Sequence, residues 1–249
     1  MRSQMLGWIA VALVLGFAPV TLAQGEATAI IEKAVKAHGG VDKLNTMKCL
    51  QSKSKGKLEA FGGVEMTQEV IVQFAGKFKE TAEIDINGMK VKVISVFDGA
   101  KASITANGQP IEINDKIVEE FKEAAYAMRV GRLTNLLTDK SVKLSSLGDS
   151  KVEGKPAVGV KIANKGHRDL DLYFDKESGL LVKVQTRKND LQTMQEVDEE
   201  RIIQEYQDVD GRKAPKKVLI NHEGKKYLEL EVVEVKFPDN IDDSEFQTP

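Results

Sequence analysis

The stretch Asp175-Lys176-Glu177-Ser178-Gly179 gathers two carboxylates, an amine and a hydroxyl in consecutive positions. Those are the side-chain types of acid–base or cation-binding chemistry. Its flanks argue otherwise. Leu170, Leu172 and Phe174 before it, and Leu180, Val182 and Val184 after it, repeat every second residue, which is the period of half-buried strands. Asp at the first corner and Gly where φ must turn positive are turn chemistry, so the segment reads as a hairpin tip in water. The three histidines, His38, His167 and His222, lack a neighbour at HxxxH or HxxE spacing. His38 falls at a helix end, where its charge suits the helix dipole, and the other two fall in turn or strand-end contexts. "DVDG" at 208–211 matches part of a calcium loop without the remaining ligands or the terminal glutamate, and reads as a hairpin turn. The paired acids Glu119–Glu120 and Glu199–Glu200 are adjacent, so on a helix or strand they diverge. With no nucleophile elbow, phosphate loop or zinc pattern in view, the expectation is a non-enzyme with no catalytic residues, no metal and no cofactor. A hydrolase built on the scattered histidines and carboxylates is the last alternative.

The elements that hold these residues begin after an export signal. Arg2, an apolar run over 5–20 and Thr21-Leu22-Ala23 before a polar segment lay out a secretory signal peptide over 1–23. The run is short for a spanning helix and Pro19 lies near its end. Cleavage after Ala23 is expected, leaving a soluble chain in the periplasm or cell envelope with no stable membrane span. Residues 24–249 suit one domain. Net charge is −2, from 36 basic and 38 acidic residues spread along the chain, which gives no footprint for nucleic acid. Cys49 is the only cysteine, so no intrachain disulfide forms, and it reads as a small buried residue at a strand start.

Ile30, Ile31, Ala34, Val35 and Ala37 lie on one helical face, with Gly39-Gly40 at the C-cap position, and a short helical turn follows over 41–47. From Cys49 onward about eleven alternating segments separated by Gly, Asn and Asp turns read as an antiparallel meander. One helix interrupts them over 114–137, capped by Asn114 or Asp115. Its Ile117, Val118, Phe121, Ala125 and Met128 share a face, opposite Glu119, Glu120, Lys122 and Glu123. Alternation gives the sheet a broad apolar face: Val64, Met66, Val70, Val72 and Phe74; then Phe78, Ala82, Ile84 and Ile86; then Met89, Val91, Val93 and Phe97. A sheet this wide curls. The helices offer fewer apolar side chains than this face does, so spacing alone leaves two outcomes open: an ordinary filled core, or a cleft able to take an acyl chain.

The ordered set "KAVKAHGGVDKL", "SVFDGAKASI", "LGDSKVEGKPAVGVKI", "LDLYFDKESGLLVKV", "YQDVDGRKAPKKVLI" and "IDDSEFQTP" resembles the outer-membrane lipoprotein-sorting superfamily, the LolA and LolB-like carriers, in its exported branch. The pieces span most of the chain after the signal. An aromatic residue often follows the "FDG" turn in that family, where this chain has Ala102 and Ser103. The resemblance implies a mainly β, α+β fold: an incomplete antiparallel β-barrel covered by N-terminal helices and an inserted lid helix, with a hydrophobic cavity for acyl groups. Together the two readings predict a non-enzymatic carrier of lipid or lipidated protein, with an envelope protein as a further partner. The expected lining is Met66, Val70, Val72, Phe74, Phe78, Ile84 and Phe97, and the expected lid residues are Ile117, Val118, Phe121 and Met128. The alternative from another class is a structural or protein-interaction module of the envelope with the same fold and a filled core.

Overall fold

A computed structural model describes residues 20–191 and 193–247. Two helices come first, α1 (Val20–Ala37) and α2 (Val41–Asn45). In α1, Ala27, Ile31, Ala34 and Val35 recur at helical spacing and are buried, as the sequence predicts. Residues 1–19, which carry most of the expected signal, lie outside the described residues, and the expected cleavage point falls in the first turns of α1. Gly39 and Gly40 take φ of 127° and 87°. A Cβ on Gly39 would stand 2.7 Å from the Gly211 carbonyl oxygen, so glycine alone lets the chain turn this close to the sheet.

Six strands follow: β1 (Cys49–Leu58), β2 (Val64–Gln73), β3 (Lys77–Ile86), β4 (Met89–Phe97), β5 (Ala102–Ala106) and β6 (Gln109–Ile111). The helices α3 (Asp115–Val130) and α4 (Asn135–Thr138) then precede β7 (Val142–Val152), β8 (Lys155–Asn164), β9 (Leu170–Asp175), β10 (Leu181–Asn189), β11 (Glu196–Val209), β12 (Arg212–His222) and β13 (Lys225–Lys236). All thirteen pair antiparallel in the order β6-β5-β4-β3-β2-β1-β13-β12-β11-β10-β9-β8-β7. The two runs of strands join where β13 pairs with β1, and β6 and β7 remain as free edges of a curved, unclosed sheet. Asn114 caps α3, its side-chain oxygen accepting from the Ile117 amide at 3.1 Å.

The count of about eleven strands is corrected to thirteen among the described residues. The two not among the eleven segments are β6, three residues long, and β1, which begins at Cys49 as expected of a strand start but whose "QSKSKGK" hides its extent. β1 is polar because its outer side chains belong to a charge ladder: Lys55 stands between Glu231 and Thr67, and Lys57 between Glu229 and Glu65. Toward the helices β1 offers Ser52, Ser54 and Gly56. A Cβ on Gly56 would lie 2.1 Å from the Glu229 carbonyl oxygen and 2.8 Å from Leu230 Cδ2, so the absence of a side chain lets Leu230 lean across the central strand.

The tip at 175–179 is the expected hairpin, with Asp175 Oδ1 accepting from the Ser178 amide and hydroxyl, each at 2.7 Å, and Gly179 at φ 76°. Beyond it the expected period fails. A bulge between Leu181 and Lys183 shifts the phase, so Leu181 and Val184 join the main core while Val182 packs with Val152, Ala157 and Ile202 on a separate cluster. "DVDG" is likewise a hairpin turn, with Asp210 and Gly211 at φ 52° and 72°. The C-terminal segment docks on the sheet. Ile241 and Phe246 bury themselves against Cys49, Ile71 and Val96 on the outer face, while Asp243 and Glu245 pair with Lys77 and Lys79, each at 2.9 Å.

Candidate functional site

The face that carries the helices is built by alternation from Val72 in β2, Phe78 in β3 and Phe97 in β4, which stand in register. With Phe74 and Phe121 they belong to one buried cluster that includes α1, Val130 and Leu133 from the inserted helical segment, and Leu172 and Phe174 of β9. Phe121 stacks on Phe78 at 5.4 Å and meets Phe97 edge-on at 6.4 Å. These contacts close the sheet against α3. Of the expected lining, Val72, Phe74, Phe78 and Phe97 lie in this cluster and Val70 packs against it. Of the expected lid residues, Phe121 is buried there, Ile117 and Met128 pack against it, and Val118 is half-buried without joining it.

Met66 and Ile84 lie elsewhere. They pack toward the other ends of the strands with Leu58, Ala82, Ile220, Leu228 and Leu230. Gln68 and Glu80 divide the two regions, the Gln68 amide donating to the Glu80 carboxylate at 2.7 Å. From Ile84 the same face runs on through half-buried Val91, Val93 and Ile104 to exposed Ile111 at the β6 edge. At the β3–β4 turn, Ile86 and Met89 stand opposite each other, 39% and 67% exposed. Of this strip Ile104 packs against the cluster that holds Phe78, Phe97 and Phe121, while the facing pair Glu80 and Ser95 stands between those rings and Val93, Val91 and Ile84.

Two clefts of about 550 and 540 Å³ lie on the opposite, outer face. The first is bordered by the Lys55–Glu231 and Lys57–Glu229 ladder, the second by the C-terminal segment with Lys79 and Lys92. The walls of the second suit water or a polar partner rather than hydrocarbon, whereas the first joins that charge ladder to Met66, Ile84 and Leu230.

Polar groups that the sequence pattern places in solvent instead fasten α3. Glu120, expected opposite the apolar face, is 6% exposed. Its carboxylate accepts from the Arg168 guanidinium at 2.6 and 2.7 Å and from the Asn189 amide nitrogens at 2.9 and 2.6 Å. Burial penalises the charged form, and the bonds from Arg168 and Asn189 outweigh that penalty, holding its pKa below the ordinary value. Glu123 accepts from the Arg168 backbone amide at 2.9 Å and meets His167 Nδ1 at 3.0 Å, and His167 lies flat on Tyr126 at 3.8 Å. No spacing rule joins residues 120 and 168, so sequence periodicity could not find this pair.

The three histidines stay apart. His38 is buried rather than charged at a helix end: burial holds its imidazole below the ordinary pKa, against an opposing pull from the Ala34 carbonyl. Nδ1 donates to that carbonyl at 2.8 Å, and Nε2 faces the Leu181 amide at 3.4 Å and the Tyr206 hydroxyl at 3.3 Å. His222 sits between Glu199 at 3.1 Å and Asp190 at 3.6 Å and stacks on Tyr227. Among the described residues no group of three or more His, Cys, Asp or Glu side chains is placed to hold a metal ion. No helix among them is long and apolar enough to cross a membrane.

No protein-family model matches the chain, and no curated protein matches it in sequence. Solved structures do. An outer membrane lipoprotein-sorting protein domain from Vibrio parahaemolyticus superposes with a TM-score of 0.54 at 11% identity, covering 90% of this chain and 97% of that one. A LolA superfamily protein from Nitrosomonas europaea gives 0.53 at 10% identity over 89% and 97%. A DUF1329 family protein from Desulfovibrio piger gives 0.50 at 11% identity over the same shares. The likeness is one of fold, and the fold is the LolA-like sheet to which the sequence resemblance points.

Proposed function

We propose that this chain is an exported, non-enzymatic binder of lipid or of a lipidated protein, which holds acyl chains on the helix-bearing face of the sheet with α3 as a lid. Residues 1–23 act as its export signal and the rest as one half-barrel domain working in the periplasm or cell envelope. The observation that carries the reading is the apolar strip that runs from half-buried Ile84, Val91, Val93 and Ile104 to exposed Ile86, Met89 and Ile111, with Ile104 packed on the cluster beneath the lid. Exposed apolar area of this continuity is costly to leave in water, and each methylene that covers it gains about 0.8 kcal/mol. The shared fold with proteins described as lipoprotein-sorting is consistent with such a ligand, although fold alone never fixes function. Ile84, Val91, Val93 and Ile104 would contact the chain first, and Val70, Val72, Phe74, Phe78 and Phe97 only after α3 moves.

A structural or interaction module of the envelope is the second reading, favoured by the stacked Phe78–Phe121 contact, which fills the space beneath the helix. One experiment separates the two. The mature chain, purified from its own envelope, is extracted with organic solvent for mass spectrometry and titrated with a fluorescent fatty acid. Stoichiometric lipid and saturable probe uptake support the binder. A protein that carries no lipid and takes up no probe is the structural module.

A further inference from the structure

We infer that Arg132 and Asn135, in the turn between α3 and α4, form a site for an anionic oxygen group, a phosphate or carboxylate, at the end of the apolar core away from the exposed strip. Arg132 makes no ion pair among the described residues. Its guanidinium lies 5.5 Å from the centre of the Phe74 ring, and its Nη2 reaches only the Leu44 and Asn45 carbonyls, at 3.5 and 3.4 Å. Its Nε is buried with no partner. Three residues on, both amide atoms of Asn135 are buried and unbonded.

Unpaired buried polar groups are rare and each weakens the fold, so the two unbonded donors, Arg132 Nε and Asn135 Nδ2, call for an acceptor, whereas Asn135 Oδ1 is itself an acceptor and argues nothing for an anion. The neighbouring charge does not supply one. Arg129, whose Nε is also buried and unbonded, meets Asp139 only at 4.0 Å. Asp139 is already engaged by the Ser141 amide and hydroxyl at 3.0 and 2.6 Å. The local balance is therefore cationic, with an amide donor beside it. A planar guanidinium with free N–H groups fits carboxylate and phosphate oxygens. Burial without a counter-charge pulls the Arg132 pKa below its ordinary value, a penalty that a bound anion would remove. Phe74 links this group to the core, so the anion and an acyl chain could belong to one amphiphile. That last step rests on the acyl-binding reading, whereas the anion site does not.

The test uses dodecyl phosphate, the uncharged dodecyl maltoside and inorganic phosphate, each titrated calorimetrically into the full mature chain below micelle-forming concentrations. The wild type is expected to bind dodecyl phosphate about tenfold more tightly than the maltoside, and Arg132→Gln to bring that ratio to about one. Competition by inorganic phosphate assigns the site to a free anion, and preference without such competition assigns it to a lipid headgroup. Equal affinities of the two amphiphiles in the wild type together with no Arg132-dependent binding of inorganic phosphate, or a preference that survives Arg132→Gln, overturns the site. Phosphate bound through Arg132 with neither amphiphile bound would keep the site and overturn the acyl reading; no binding of any probe overturns both. If Arg132→Gln fails to fold, Asn135→Asp replaces it: the added carboxylate should abolish the preference, and its full retention overturns the proposal.

Discussion

Phe121 of α3 lies on Phe78 of β3 with ring centres 5.4 Å apart and planes 27° from parallel. Helix and sheet meet at this pair, and it is where they must part if a ligand is to go deeper than the exposed strip. Phe121→Ala should lower stability by about 3–5 kcal/mol. It should also tighten binding of a long-chain fluorescent fatty acid, because it opens volume next to the strip. Denaturant unfolding and probe titration on the same variant check both. A lowered stability with no gain in probe affinity would mean that the space beneath α3 serves packing alone.

Glu120 accepts bonds from Arg168 and Asn189 and ties α3 to the loop after β8 and the end of β10. Breaking a buried pair leaves an uncompensated charge, so Glu120→Gln should cost on the order of 3 kcal/mol. The loss should be local first. Amide exchange across residues 115–130 is expected to quicken before that of β8 to β10, and equal acceleration everywhere would show that the pair does not hold the helix in particular.

Stability should fall on the acid side for two reasons. Burial holds His38 below its ordinary pKa, so the unfolded chain takes up a proton that the folded chain refuses. Stability is then lost as pH drops below about 6.5, by up to about 1.4 kcal/mol per pH unit. Glu199 is opposed by burial, which raises its pKa, but the His222 bond with Arg201 and Lys188 outweighs it and holds it low. Its contribution is present above about pH 4.5 and fades as pH falls further. Thermal midpoints from pH 7.5 to 4 should decline, with His38→Gln flattening the upper part of the curve. A wild-type profile that is level from pH 7.5 to 5 contradicts the assignment.

Phe246 and Ile241 pack with Cys49, a residue 2% exposed. Burial pushes that thiol's pKa up, so the native chain should resist alkylation. Phe246→Ala is expected to speed labelling of Cys49 about tenfold or more, since local opening scales with lost packing. Unchanged labelling would mean that the C-terminal segment does not guard the thiol.

Most of the sheet was legible because its strands announce themselves by alternation, and the eleven segments read from the sequence all reappear as β2 to β5 and β7 to β13. β1 showed only its start at Cys49, because a central strand whose outer side is lysines and whose inner side is serine and glycine carries no apolar period. The bulge at Val182 was hidden because a phase shift depends on the partner strand. The site was less legible. Local spacing found Phe78, Phe97 and Phe121, which pack together. It put Met66 and Ile84 in the same lining, although the Gln68–Glu80 pair and the sheet's curvature set them with residues from β12 and β13. Arg132 gave no signal in the sequence, since what distinguishes it is the partner it lacks.

The most direct test of acyl binding is to photolyse a diazirine-bearing fatty acid with the mature chain and map the adducts by mass spectrometry. The expected result is labelling confined to the helix-bearing face, on Ile84, Val91, Val93 and Ile104, and suppressed by unlabelled fatty acid. Labelling spread over the charged outer face, or insensitive to that competitor, would contradict it.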